Sequence, residues 1–257
     1  MRLGNPIVRS YARRAESGSF AGYDGRATYK GVYLKAALYA AITIIAAVAT
    51  EFLMLHFIST GNAGALATIG VAASLCFVPL LIISFVIVFV PSTAKVLGFI
   101  YAALQGGLLG LLSTFADLYY PGIALAAFLG TAVVFLVALV VNSVCKVRIS
   151  STFVRGLMVA LISLVTVQLL MYVISLFGVF SYTQYMWVQI GISSLCIVWA
   201  TVMLFWDLNN IDFIVQAGAD KKFEWNVAFS LVTTLIYMYV EILELLIRLA
   251  AMFSRNN

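Results

Sequence analysis

Charge is what this chain has least of. Only 10% of its 257 residues are Asp, Glu, Lys or Arg, while 64% are hydrophobic. A water-soluble domain is nearer a quarter charged and half apolar, so a soluble globular fold is excluded. Histidine is scarcer still. His56 stands alone, so an H-E-x-x-H zinc site cannot be built. A single histidine near a span end reads as an interfacial polar residue. Cys76, Cys145 and Cys196 are scattered and odd in number. They make no C-x-x-C and no disulfide framework, and read as small apolar packing residues. No G-x-S-x-G elbow and no nucleotide-binding loop occurs. The last apolar run holds no lysine, which removes the anchor for a retinal Schiff base. The chain is not expected to be an enzyme, to hold a cofactor or to bind nucleic acid.

What is present is a series of apolar runs, near residues 33–58, 66–90, 94–115, 121–142, 153–177, 184–206 and 227–252. Each suits the ~20-residue helix that crosses a bilayer. The expected fold is an all-α polytopic membrane protein, a seven-transmembrane helix bundle over residues 33–253, with the lipid bilayer as its first partner. Residues 1–32 form a separate segment rich in Gly and Ser. It carries Arg2, Arg9, Arg13, Arg14, Arg26 and Lys30 against Glu16 and Asp24. No apolar core follows its early arginines, so it is not read as a cleaved signal peptide. It reads as a basic, flexible cytoplasmic tail, either a topology anchor near anionic lipid or a docking arm for a protein partner. Pro79 falls inside the second run, where it is expected to kink the helix. Pro121 opens the fourth, where its missing N–H costs nothing. Ala102, Gly106 and Gly110 recur every fourth residue in the third run, a small-residue stripe that lets helices approach closely.

Charge placement sets the orientation. With the N-terminus inside, all the basic residues except Arg248 and Arg255 fall on inner segments, among them Lys95, Lys146, Arg148, Arg155, Lys221 and Lys222. The positive-inside rule therefore predicts N-in and C-out.

The rare acids point to the site. Asp207 lies at the inner end of the sixth run, and Glu241 and Glu244 lie well inside the last. Carboxylates in such apolar surroundings are expensive and mark function. Glu241, Glu244 and Arg248 share one helix face by their spacing. Glu244 and Arg248 form an i,i+4 pair in the favourable order. Glu241 has no such neighbour, and sits ~21 Å into its span at helical rise. Its expected partner is Asp207. Two facing carboxylates cannot both ionise cheaply, so the pair is expected to share a proton. An antiparallel hairpin levels these two residues only if its turn centres at residue 224. The visible breakers, Gly218 to Lys222, centre nearer 220, and four residues of error displace the pair by roughly 12 Å. Glu51, toward the outer end of the first span, reads as snorkelling to the interface. Asp117 reads as a solvated loop residue.

These stretches resemble the Bax inhibitor-1 (transmembrane Bax-inhibitor-motif) superfamily, in its bacterial branch. FWDLNNI, from Phe205, is similar to its sixth-helix motif, an aromatic followed by D-L-x-x-I. YMYVEILELL, from Tyr237, is similar to its last-helix motif, Y-L-D-F-I-N-L-F. TYKGVYLKAALY, from Thr28, and YAALQGGLLG, from Tyr101, resemble one bacterial subgroup. The resemblance implies a multi-pass protein of the bacterial plasma membrane with the last helix central. It also implies a pH-sensitive calcium leak gated by an acid pair between the last two helices. By position Asp207 matches one acid, and Glu241 matches the other with Glu in place of Asp. Gln105 stands where this subgroup would carry an acid. Calcium and protons are then the expected small partners, with Asp207 and Glu241 as a calcium or proton site. Asn209, Asp212, Glu244, Arg248 and Glu51 are the expected supporting residues. The alternative is a non-conducting regulator that binds other membrane proteins, such as a quality-control protease, through the tail.

Overall fold

The structure, a computed structural model, describes residues 25–145, 147–176 and 181–256. Most of the basic tail, Lys146 and Asn257 lie outside the described residues. Seven long helices follow in order: α1 (Tyr29–Ser59), α2 (Ala63–Phe89), α3 (Ala94–Tyr119), α4 (Ile123–Cys145), α5 (Ser151–Leu176), α6 (Tyr182–Gln216) and α7 (Phe223–Asn256), with a short 3-10 turn (Pro91–Thr93) before α3. Each is long and apolar enough to cross a membrane. Among the described residues there is no strand, only an isolated bridge between Arg26 and Asp220. Large apolar side chains lie bare along these helices, Ile162 of α5 at 67% exposure among them. Water would not tolerate such surfaces and hydrocarbon does. The chain is an all-α, multi-pass membrane protein.

Helix ends follow local chemistry and shift several expectations. α1 begins at Tyr29, inside the stretch expected to be tail, because Thr28 caps it by accepting from the Gly31 amide at 3.0 Å. Asn62 caps α2 in the same way, accepting from the Ala65 amide at 3.1 Å. Pro79 is carried inside α2. Pro121 does not open α4. It stands in the preceding turn, where Gly122 takes φ +85, and the helix starts at Ile123. α6 runs ten residues beyond its expected end, so Asp207 lies inside the helix. At ~1.5 Å per residue both α6 and α7 exceed the ~30 Å hydrocarbon thickness.

The described chain forms two compact units. One runs up to Pro121 and includes Asn210–Thr233; the other holds Gly122–Asn209 and Thr234–Asn257. In the first, the stripe of α3 does what its spacing predicts. A side chain at Gly106 would collide with the Thr43 carbonyl and would stand 2.8 Å from the Ala46 side chain, and one at Gly110 would meet Ala47. Both helices advance together along this contact, a parallel crossing of the small-residue type. Tyr39, 1% exposed, sits at its end. It donates to the Ala94 carbonyl at 2.6 Å and meets Phe99, Trp225 and Phe229 edge-on. In the second unit α6 is tied to α5 by Trp199, whose indole N–H donates to the Leu157 carbonyl at 3.1 Å. The last helix meets α4 where Ile242 lies over Gly130.

Candidate functional site

Within the second unit, α6 and α7 face each other along a polar seam. On α6 the buried residues Gln189, Ser193, Cys196, Ala200, Leu204 and Asp207 recur at three- and four-residue steps. One helical face is thereby apolar at its centre and polar at both ends. On α7 the facing positions are Thr234, Tyr237, Glu241, Glu244 and Arg248, with the same steps. The two helices run antiparallel, so the far end of α7 returns to the start of α6.

At the end nearest the turn Asp207 is 1% exposed and accepts from the Thr234 hydroxyl at 2.5 Å. Mid-seam, Glu241 lies beside the Tyr237 hydroxyl and the Cys196 thiol, with Glu244 and Arg248 nearby. Tyr237 in turn packs edge-on against Trp199. At the C-terminal end Arg248 binds both helices. Its Nη1 donates to the Gln189 carbonyl at 3.2 Å and to the Ser193 hydroxyl, and its Nη2 to Glu244 at 2.7 Å. On α6, among the described residues, Gln189 Oε1 and Asn209 Nδ2 are buried and make no hydrogen bond.

The turn between the helices decides which residues meet. It is short, closing through Gly218 at φ +63 and starting α7 at Phe223. Thr234 therefore takes the level opposite Asp207, as a centre near residue 220 requires. Glu241 lies seven residues further on, about 10 Å along the axis. The structure gives each acid its own neighbours: Thr234 for Asp207, and Tyr237 with Cys196 for Glu241. Glu244 and Arg248 form the expected ion pair. Asp212 belongs to the other unit, where Tyr29 and Tyr33 neighbour it. Glu51, half-buried on α1, belongs to that unit too.

Sequence reasoning missed a second ionic centre, in the first unit. Glu224 is wholly buried. It accepts from the Thr28 amide at 2.8 Å, from the Thr28 hydroxyl at 3.3 Å and from Lys35. Lys35 also lies over the Trp225 ring, 5.0 Å from its centroid. Gly31 leaves the space, since a side chain there would strike the Glu224 carboxylate. The signal was present: Thr28, Gly31 and Lys35 fall on one face, and an acid opens the last helix.

Calcium takes roughly six to eight oxygen ligands. Among the described residues no three His, Cys, Asp or Glu side chains converge to hold a metal ion. The seam offers carboxylates at successive levels rather than a cage. Comparison with protein families matches residues 5–251 to one, described as Bax inhibitor 1 like. No curated protein and no solved structure gives a match.

Proposed function

The chain belongs to the Bax inhibitor 1 like family, and from that premise we propose that it is a pH-sensitive cation leak, with calcium the favoured ion and the α6–α7 seam its route. The observation that carries this reading is Asp207, 1% exposed between two long apolar helices. An acid so placed is functional by default in a membrane. In the neutral form, the two acids add no charge to the seam, and the Thr234–Asp207 bond and the Tyr237–Trp199 ring contact hold the helices together. As pH rises, ionised Asp207 and Glu241 put like charges in a medium of low dielectric, which favours water entry and separation of the helices. A cation passing between them takes the place of the protons, so protons and calcium compete. Calcium is cargo, met in sequence by Asp207, Glu241, Glu244, main-chain carbonyls and water. No covalent chemistry is involved, and the bacterial plasma membrane is the proposed location.

The test is calcium flux from liposomes holding the purified protein, across about pH 6 to 8. Flux should rise with pH, and Glu241→Gln or Asp207→Asn should flatten the profile. Flux no greater than in protein-free liposomes at every pH overturns the reading.

A second reading draws on one observation. The last part of the expected tail is fixed on the α6–α7 turn, the Ala27 amide donating to the Ala219 carbonyl at 2.8 Å. A non-conducting regulator could pull on that turn when its tail binds another membrane protein, such as a quality-control protease. Removing residues 1–24 leaves flux intact under the leak reading and abolishes partner capture under this one.

A further inference from the structure

We propose that Arg248 is a cationic plug that closes the C-terminal end of the α6–α7 seam to cations. Three observations carry this. The first is position. Arg248 bridges to Gln189 and Ser193 of α6, one to two turns beyond Cys196 and Glu241, so anything entering from this end meets the guanidinium first. The second is permanence. Guanidinium keeps its charge at every working pH, and its side chain is only 18% exposed, so solvent screens it little. The third is a mismatch in bonding. Two of its bonds cross to α6 and one stays on α7, to Glu244. Letting go of α6 therefore leaves the Glu244 bond in place, and the charge swings aside without becoming unpaired. Gln189 Oε1, buried and unbonded at this level, is an acceptor that an entering water or cation would satisfy.

A plain staple between helices would make the same bonds, so the test must read charge rather than packing. Cys196 is the natural reporter, buried beside Glu241 just past Arg248. Cys76 and Cys145 are replaced by Ala, and the protein in liposomes is treated from the C-terminal face with a cationic and a neutral methanethiosulfonate of similar size. In the otherwise unaltered chain the cationic reagent should modify Cys196 about tenfold more slowly than the neutral one, after correction for free-thiol rates, the lower end of what focused charge does to encounter. Arg248→Gln should abolish that discrimination, and Arg248→Lys should keep it.

The flux consequence rests on the leak reading: Arg248→Gln should also raise calcium efflux. Labelling that responds to the charge without any efflux keeps the plug and removes the leak. Equal rates for the two reagents in the unaltered chain overturn the plug, whether or not Arg248→Gln folds. So does an Arg248→Gln variant that speeds both reagents alike, which makes Arg248 a staple.

Discussion

The acids of the two units of this molecule are treated in opposite ways. Glu224 has a donor for its needs on every side: the Thr28 amide and hydroxyl and the Lys35 ammonium, with Trp225 beneath that ammonium. It also lies in the first turn of α7 and against the start of α1, the positive ends of two helices. Asp207 and Glu241 have hydroxyl and thiol neighbours and an arginine further along, with the unbonded Gln189 Oε1 in the same seam. A charge-paired network holds one geometry, while a seam with an unbonded acceptor, Gln189 Oε1, leaves room for water and ions. The same residue types thus serve as a fastener in one unit and as a candidate passage in the other.

The comparison breaks most easily at the fastener. Glu224→Ala should strand Lys35 and cost about 3–5 kcal/mol, the penalty for breaking a buried pair from one side. Thermal unfolding in detergent reads it. The double change Lys35→Met with Glu224→Met should recover most of that loss, because the charges leave together. A double variant as unstable as the single one would mean the pair has a role beyond its own charges.

In the seam the larger change should appear in flux rather than stability. Glu241→Gln keeps hydrogen bonding and removes the ionisation, so calcium flux should lose most of its pH dependence between about pH 6 and 8. A wild-type profile in that variant makes Glu241 a structural acid. Thr234→Val is gentler. It deprives the charged form of Asp207 of its hydroxyl donor, so that form is reached only with more alkali. The flux profile should move to higher pH with its height retained, and a shift to lower pH would contradict the assignment. The smallest effect is expected at Asp220→Asn. Its partner Lys222 is 3.1 Å away and 57% exposed, and such surface pairs contribute about 0–1 kcal/mol. Unfolding temperature and flux should both stay near the parent values.

How much of this was legible without coordinates differs from residue to residue. The close contact at Gly106 and Gly110 followed from their spacing, because a small-residue stripe has one physical use in a helix bundle. The Glu244–Arg248 pair followed from helical periodicity for the same reason. The first turn of α1 was missed because its polar Thr28 and Lys30 resemble tail. Only the Thr28 cap and the Glu224 contact make it helical in place.

The amino-acid sequence determined the class of the protein by itself. Seven apolar runs with few charges have no other stable arrangement in a membrane, since every backbone polar group must be satisfied within a helix. It also determined which residues are costly, because acids in apolar runs announce themselves by composition. What the tertiary structure decided was which of them meet. That depended on the length of one turn: Gly218 closes it early, Thr234 rather than Glu241 comes level with Asp207, and Glu241 turns to Tyr237 and Cys196. Periodicity states the face a residue occupies but not its height on the neighbouring helix. Height is set by the turn, and a few residues of turn move a partner by two turns of helix.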